Sequence, residues 1–287
     1  MGRSGRLVSE ELSLLSPAKL NLFLHITGRI GEPPHQGYHR LQTMFQLLDW
    51  GDKMHFTSNN SGEISLDMPD IGVPQEENLI VRAAKCLQRG KHGAHIRVEK
   101  RIPTGGGLGG GSSNAATTLL ALRALWQCTH TTEELAGMGS ELGADVPVFV
   151  NRHSAWAEGI GDILTPIELP LHWFLVVKPD CQVATAKIFA HQQLTRDSTP
   201  ITLAAFFRGS TRNDCQEVVR NLYPEVDNAL KWLTNFGTAR LTGTGACIFA
   251  SFDDKAQAEA VKAQLPEKWA GYVAQGVNVS PVSKALS

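Results

Sequence analysis

The glycine-rich window from Gly105 to Gly111 constrains this chain more than any other feature of its sequence. Six of its seven residues are glycine, interrupted only by Leu108, whereas the whole chain of 287 residues contains 27 glycines. Alternating apolar residues in 94–102 predict a strand before the window, and apolar spacing from Ser112 onward predicts a helix after it. Flexible linkers do not stand between a clear strand and a clear helix. We therefore interpret the window as a site.

A strand, a glycine-rich turn and a helix in this order can form a binding site for an anion. The first turn of a helix presents free N–H groups and a partial positive charge. Glycines let the backbone approach an anion closely and take positive φ angles. The hydroxyls of Ser112 and Ser113 stand at the predicted start of the helix. We therefore predict that the window and these serines cradle a phosphate group.

Two common nucleotide-binding motifs fit the window poorly. A Walker A loop needs a lysine where Ser112 stands. The GxGxxG spacing is met by Gly105, Gly107 and Gly110, but six glycines match many patterns by accident. A second predicted helix at 131–142 also follows the first, where a βαβ unit requires a strand. The glycines alone leave both motifs open, beside a third interpretation in which backbone and serines alone bind the anion.

Composition excludes several other classes. Lysine plus arginine number 27 and aspartate plus glutamate 28, so no basic field is available for a nucleic-acid backbone. The five cysteines are scattered singly, which fits a reducing compartment better than a disulfide framework. Met1–Leu15 carries acidic residues where a signal peptide is apolar, and the densest apolar run, 173–177, is too short for a membrane span. We expect a cytoplasmic protein with neither nucleic-acid nor membrane partners.

The remaining pattern predicts a mixture of strands and helices. In 18–26 apolar residues alternate with Lys19, Asn21, Phe23 and His25, which predicts a strand with one buried face. The histidines show no metal-ligand spacing, so we predict no metal held by the protein alone. Further predicted strands are 173–177, 271–279 and two flanking a glycine-rich turn within 238–252, and further predicted helices are 78–88, 254–265 and those within 216–236.

Local signals refine this pattern. The segment 131–134 (TTEE) has the spacing of a capping box at the predicted helix 131–142, and Gly143 suits the end of that helix. The apolar segment 41–50 is ambiguous between strand and helix.

Three segments resemble the signatures of the GHMP kinases. Pro103–Ala116 (PTGGGLGGGSSNAA) is similar to their Pro-x-x-x-Gly-Leu-Gly-Ser/Gly-Ser-Ser motif, and Pro17–Leu22 and Leu241–Ala246 resemble the flanking motifs in the expected order. The resemblance implies an α+β fold with two domains. These would be a ribosomal-S5-domain-2-like ATP-binding domain over 1–162 and a ferredoxin-like domain over 163–287 that completes the substrate site. It also implies ATP as phosphate donor and Mg²⁺.

A finer resemblance concerns the acceptor. The segments 37–39 (GYH), 77–84 (ENLIVRAA) and 143–147 (GADVP) resemble the branch whose small-molecule substrate carries a cytidine diphosphate group. This implies phosphorylation of the 2-hydroxyl of a methylerythritol unit, in the non-mevalonate route to isoprenoid precursors. The loop at 30–36 looks longer than is usual in that branch. The alternatives are a kinase for homoserine or mevalonate, a nucleotide-binding module without activity, and an NAD-dependent oxidoreductase.

The resemblance also implies roles for individual residues. Asp145 would be the catalytic base, and Lys19 would lie beside it to stabilise the carboxylate and the developing alkoxide. Without the resemblance, a helix N-cap and a surface lysine would be the more common explanations. Tyr38 and Phe189 would cover the two faces of the cytosine, and His39 would bind its edge.

The implied contacts divide between the two substrates. The residues implied to contact ATP are Pro103, Thr104, Gly105, Gly106, Gly107, Leu108, Gly109, Gly110, Gly111, Ser112, Ser113, Asn78 and Leu79. The residues implied to contact the acceptor are Asn21, Tyr38, His39, Thr185, Phe189 and Gly243. We expect a monomer or a weak homodimer.

Overall fold

A long antiparallel pair of strands organises the fold. The computed structural model describes residues 10–33, 36–209 and 211–286, so most of the segment Met1–Leu15 and part of the 30–36 loop lie outside the described residues. Strands β1 (Glu11–Arg29) and β2 (His39–Asn59) pair along most of their length. The ambiguous apolar segment 41–50 is therefore a strand.

Within the described chain, ten strands join in one sheet. Strand β2 pairs with β1, β4, β5 and β10, and the sheet continues from β10 through β7 and β9 to β8. The pair β3–β4 is parallel, and the other pairs are antiparallel. The strands after β2 are β3 (Ile64–Asp67), β4 (Gly93–Glu99), β5 (Ala155–Glu158), β6 (Ile163–Pro166), β7 (Trp173–Lys178), β8 (Arg240–Leu241), β9 (Ile248–Phe252) and β10 (Ala270–Val277).

The helices fall into an early and a late group. The early group is α1 (Leu79–Leu87), α2 (Gly110–Leu125), α3 (Thr132–Leu142) and α4 (Val146–Asn151). The late group is α5 (Thr185–Ala190), α6 (Leu203–Phe207), α7 (Gln216–Leu222), α8 (Pro224–Thr234), α9 (Lys255–Lys262) and α10 (Pro281–Leu286). Among the described residues, none of these helices has the length and apolarity needed to cross a bilayer.

Local signals explain where two early helices begin. The side chain of Asn78 accepts a hydrogen bond from the N–H of Ile80 and caps α1. The predicted capping box before α3 is confirmed: Thr131 accepts from the N–H of Glu134, whose carboxylate accepts from the N–H of Thr131. Gly143 ends α3 as expected.

The early helices and α7–α9 cover separate cores, whereas Val282 of α10 packs into the core of the early group. Buried residues of α1, α2 and α4 pack against β2 and β4, with Phe56 and Ile96 fully or almost fully buried among them. Buried residues of α7, α8 and α9 pack against β7 and β9. The division predicted between residues 162 and 163 falls in the turn of the β5–β6 hairpin, and it stays a prediction.

The expectation of one buried face on β1 is wrong. Lys19 and His25 are 3% and 5% exposed, and Phe23 is buried in a cluster with Met44 and Leu169. Apolar side chains pack against the second face of β1, because later segments of the chain, such as the one that carries Leu169, cover it. The strand also shifts register between Pro17 and Lys19 and again after Asn21. Such bulges redirect side chains.

Three element boundaries differ from the sequence expectations. Strand β4 ends at Glu99, because two of the next three N–H groups, those of Arg101 and Ile102, donate to the side chain of Asp52. Helix α2 begins at Gly110, two residues before the expected start at Ser112, so the last two glycines of the window are helical. Strand β10 ends at Val277, two residues before the expected end at 279, and helix α10 follows it.

Candidate active site

The glycine-rich window forms one wall of a cavity of about 240 Å³, which we call the loop cavity. All of Pro103–Gly111 line it, together with the predicted residues Asn78 and Leu79 at the start of α1. Apolar residues between β3 and α1, which the sequence did not single out, also line it; they are Met68, Ile71 and Val73. The cavity thus joins a backbone-rich wall to an apolar one.

The window presents the N-terminus of α2 to this cavity. Gly109 is the N-cap, in the left-handed conformation with φ 71°, and no side chain caps the helix. The N–H groups of Gly110, Gly111 and Ser112 belong to the first turn and have no acceptor within the helix. These donors and the helix dipole favour an anion at this point.

Ser113 takes a different position from the one predicted. Its side chain is fully buried, and its hydroxyl is 2.8 Å from that of Ser16 in β1. Its N–H already donates to the carbonyl of Gly109. Because its hydroxyl and its N–H are both used inside the protein, Ser113 anchors α2 to β1 and offers no group to a phosphate. The free donors belong to its neighbours in the first turn.

A buried carboxylate, which sequence reasoning missed, fixes the approach to the window. Asp52 Oδ1 accepts from the N–H groups of Arg101 and Ile102 at 2.7 and 2.9 Å. Its Oδ2 accepts from Asn114 Nδ2 at 2.9 Å and from Lys100 Nζ. Asp52 has no exposed surface. It ties β2 to both ends of the window, and the sequence does not single it out, because β2 also carries Asp49 and Lys53.

A larger cavity of about 700 Å³ lies on the other side of the window. Gly107 and Gly109 line both cavities, so they form the wall between them. All predicted catalytic and acceptor residues line this cavity, and they are Lys19, Asp145, Asn21, Tyr38, His39, Thr185, Phe189 and Gly243. Leu24 also lines it, because the bulge after Asn21 turns Leu24 toward the cavity.

Lys19 is held firmly beside this shared wall. Its Nζ lies 2.6 Å from Asn21 Oδ1, 3.1 Å from the carbonyl of Gly107 and 3.3 Å from Asp145 Oδ2. The side chain of Lys19 is 4% exposed and that of Asp145 is 34% exposed. Asp145 occupies the N-cap position of α4, yet its side chain makes no capping bond. The carboxylate is therefore directed to the cavity and to Lys19.

Hydrogen bonds to two other segments of the chain orient Asn21. Its N–H donates to Thr242 Oγ1 and its Nδ2 to Thr43 Oγ1, each at 3.0 Å. Its Oδ1 is thereby left for Lys19. The segment at Thr242 touches the window so closely that a Cβ on Gly107 would lie 2.3 Å from the carbonyl oxygen of Thr242. The two glycine-rich segments therefore require glycine where they meet.

Aromatic residues stand at the far end of the larger cavity. His39 and Phe189 are stacked, with ring centroids 5.0 Å apart, and Tyr38 is 57% exposed. One face of Phe189 is thus covered by His39. Arg196, which the sequence did not indicate, donates from Nε to His39 Nε2 at 3.2 Å. Burial, Arg29 and Arg196 lower the pKa of His39, so its ring is neutral at pH 7.

Two stretches of the chain match the models of one kinase family. Residues 78–152 match the model of the GHMP kinases N-terminal domain, and residues 195–271 match the GHMP kinases C-terminal model. The chain is 51% identical over 294 residues to the 4-diphosphocytidyl-2-C-methyl-D-erythritol kinase of Hahella chejuensis, covering 97% of each chain. It is 55% identical over 268 residues to that of Alkalilimnicola ehrlichii, covering 92% of this chain and 91% of that one.

Two solved kinase structures share the fold of this chain. A crystal structure of 4-(cytidine 5'-diphospho)-2C-methyl-D-erythritol kinase superposes with a TM-score of 0.80 at 31% identity, covering 92% of this chain and 99% of that one. A homoserine kinase from Cytophaga hutchinsonii superposes with a TM-score of 0.69 at 15% identity, covering 97% and 98%. The second likeness concerns the fold alone. Together these matches confirm the predicted α+β, two-domain GHMP architecture.

Proposed function

This chain belongs to the GHMP kinases and, within them, to the 4-diphosphocytidyl-2-C-methyl-D-erythritol kinase family, and from that membership we propose the reaction and the residues that perform it. The protein is a kinase that transfers a phosphoryl group from ATP to 4-diphosphocytidyl-2-C-methyl-D-erythritol, in the non-mevalonate pathway. The proposed acceptor atom is the 2-hydroxyl oxygen, and the products are the 2-phosphate and ADP.

The shared wall between the cavities carries the proposal. Phosphoryl transfer requires a donor phosphate and an acceptor hydroxyl held in line, with the developing charge stabilised. The loop cavity offers backbone donors for the ATP phosphates, and Met68, Ile71 and Val73 offer apolar surface for the adenine. Lys19 and Asp145 stand in the other cavity, directly across Gly107 and Gly109.

The chemical step is assigned to Asp145 and Lys19. Asp145 accepts the proton of the acceptor hydroxyl while the new O–P bond forms and the bond to the ADP oxygen breaks. Lys19 Nζ, 3.3 Å from Asp145 Oδ2, offsets the negative charge that develops on the acceptor oxygen. Asn21 and the carbonyl of Gly107 hold the ammonium in place, because both bond to it.

We also assign Mg²⁺ to the site. Among the described residues no group of three or more His, Cys, Asp or Glu side chains could hold a metal. Mg²⁺ in phosphoryl-transfer sites keeps waters and takes phosphate oxygens with few protein ligands. The Ser112 hydroxyl, which lines the cavity beside the window, is the oxygen donor that fits it. When bound, Mg²⁺ would neutralise charge on the phosphates.

The far end of the larger cavity is assigned to the cytosine. Tyr38 supplies an exposed ring for stacking, and the His39–Phe189 pair supplies a second aromatic surface. The neutral His39 ring accepts from Arg196 at Nε2, which leaves its Nδ1–H for the base edge. An acceptor without a base leaves these surfaces unused.

The remaining assignments concern the whole molecule. The separate cores of the two helical groups support domains at 1–162 and 163–287. All five cysteines are free thiols and the net charge is −1, which supports a cytoplasmic protein without nucleic-acid or membrane partners. We propose that it is a monomer or a weak homodimer.

An acceptor panel tests the proposed substrate. ATP and Mg²⁺ are supplied with 4-diphosphocytidyl-2-C-methyl-D-erythritol, mevalonate or homoserine, and ADP release is followed by a coupled assay. We expect turnover with the cytidine-bearing acceptor only, and phosphorus NMR of its product should show a monophosphate ester on C2. Turnover of mevalonate or homoserine alone would refute the proposal, and a phosphate at another carbon would refute the assigned hydroxyl.

A further inference from the structure

A third cavity, of about 350 Å³, shares no lining residue with the loop cavity or the larger cavity. It lies between β1, the β7–β9 strands and α6, and we call it the arginine cavity. Its apolar lining consists of Leu22, Leu169, Phe174, Phe206, Phe207 and Phe249. Nothing in the proposed reaction uses this space.

One charged side chain, Arg240 of β8, lines the apolar space. Its Nη1 donates to the carbonyl of Leu22 at 3.0 Å. Across the described residues it forms no ion pair, and no aspartate or glutamate lines the cavity. By contrast, Arg212 and Arg220 each pair with a carboxylate at 2.7–2.8 Å.

This environment is unfavourable for the guanidinium as it stands. Burial lowers the pKa of Arg240, and no nearby carboxylate opposes that effect. Arginine nevertheless stays protonated at physiological pH, so a half-buried charge remains without a carboxylate partner among the described residues. A cation beside apolar walls is the arrangement that recognises a ligand with an anionic end and an apolar body.

The mouth of the cavity extends the apolar surface outward. Phe207 at the end of α6 is 50% exposed although it lines the cavity. Leu171, between the lining residues Pro170 and His172, is 52% exposed. Large exposed apolar side chains around a concave site mark a binding surface more often than a free one.

We propose that the arginine cavity binds a small amphipathic organic anion, with its phosphate or carboxylate oxygens on Arg240 and its apolar body among the phenylalanines. Such a ligand differs from both substrates of the kinase. Among the residues that the structure describes, the lining of the arginine cavity presents no helix N-terminus or glycine-rich segment to receive a triphosphate and no carboxylate to accept a hydroxyl proton.

Binding of octyl phosphate, measured by isothermal titration calorimetry on the full chain, tests the proposal. A non-hydrolysable ATP analogue is kept in excess to occupy the loop cavity. Octanoate and octyltrimethylammonium are titrated in parallel, because they share the chain but differ in the end group. We expect one or both anions to bind with a 1:1 stoichiometry and the cation not to bind. Equal binding of the cation, or no binding of either anion, would overturn the proposal.

Two pairs of variants locate the bound anion. Phe207→Glu and Phe207→Gln remove the same ring and differ only in charge, and the exposed position tolerates both. Phe207→Glu should bind the anion more weakly than Phe207→Gln. Arg240→Met should weaken binding about 10- to 100-fold, the usual value of a charge-assisted hydrogen bond, whereas Arg240→Lys should retain most of it.

Thermal unfolding of each variant checks its fold independently of binding. If Arg240→Met does not fold, the Phe207 pair decides the matter alone. Equal affinities of the Phe207→Glu and Phe207→Gln variants for the anion would show that the anion binds elsewhere and would overturn the proposal.

Discussion

The loop cavity and the larger cavity recognise their ligands in different ways. The nine consecutive residues of Pro103–Gly111 form about half of the lining of the loop cavity, and the donors that they offer are backbone N–H groups at a helix start. The other is assembled from side chains that lie far apart in sequence, such as Lys19, Asp145 and Phe189. A site built from consecutive backbone groups can be predicted from a short stretch of sequence, whereas a site built from distant side chains depends on the whole fold.

The shared wall makes this difference testable. Substitutions in the larger cavity should change the chemical step or acceptor binding and leave ATP binding intact. Substitutions in the window should change ATP binding first. Gly107 and Gly109 line both cavities, so they are the positions where the distinction should break down.

The largest effect is expected for Asp145→Asn. The amide cannot accept the hydroxyl proton, so kcat should fall about 10²- to 10⁴-fold, the usual contribution of a positioned base. The KM for ATP should stay within about two-fold, because Asp145 does not line the loop cavity. Steady-state kinetics with both substrates varied measures the two constants separately.

An exposed aspartate provides the matched control for this change. Asp253 lies at the surface between β9 and α9, far in sequence from the window, and Asp253→Asn should leave both constants unchanged. If Asp145→Asn kept its full kcat, Asp145 would not be the catalytic base. A nucleotide-binding module without activity predicts that result.

Two glycine substitutions should separate the window into parts. A Cβ at Gly111 would meet only Leu79 Cδ1, at 3.7 Å, so Gly111→Ala should raise the KM for ATP about 10-fold through weakened phosphate contacts and leave kcat unchanged. A Cβ at Gly109 would lie 2.9 Å from Phe149 Cζ and 3.2 Å from Lys19 Cε, at φ +71°. Gly109→Ala should therefore raise the KM for ATP and also lower kcat.

The control for this pair is Gly137→Ala in α3. Gly137 is helical and has open space around its Cβ position, so alanine there should leave both constants unchanged and slightly stabilise the helix. If Gly109→Ala altered the KM for ATP without altering kcat, the window would act on the nucleotide alone. The shared wall would then have no role in the chemical step.

The same contrast explains how much the sequence could predict. The strand–glycine–helix order, the capping box at Thr131 and the kinase family all follow from short segments, and these predictions are confirmed. The individual catalytic and binding roles stay predictions. The structure brings Lys19 and Asp145 within 3.3 Å of each other, although 126 positions separate them in the chain.

The features that sequence reasoning missed depend on contacts between distant segments. Asp52 binds the backbone at Arg101 and Ile102, and Arg196 binds His39, and neither partner is visible in a local pattern. Strict alternation along β1 also failed, because a bulge after Asn21 placed Leu24 in the larger cavity. Periodicity describes a regular strand, and the strand is irregular where it serves the site.

The smallest expected effect is a pH dependence of acceptor binding through His39. Because the pKa of His39 is lowered from its ordinary value near 6.5, the ring is neutral at and above that pH and takes up a proton only on further acidification. Protonation would abolish the lone pair on Nε2 that accepts from Arg196 and would place a cation beside two arginines. The KM for the acceptor should therefore be flat above about pH 6.5 and rise a few-fold below it. The terminal phosphate of ATP also titrates near this pH, so His39→Gln, which cannot titrate, is measured alongside. An identical rise in that variant would assign the effect to the nucleotide and leave His39 without a part in it.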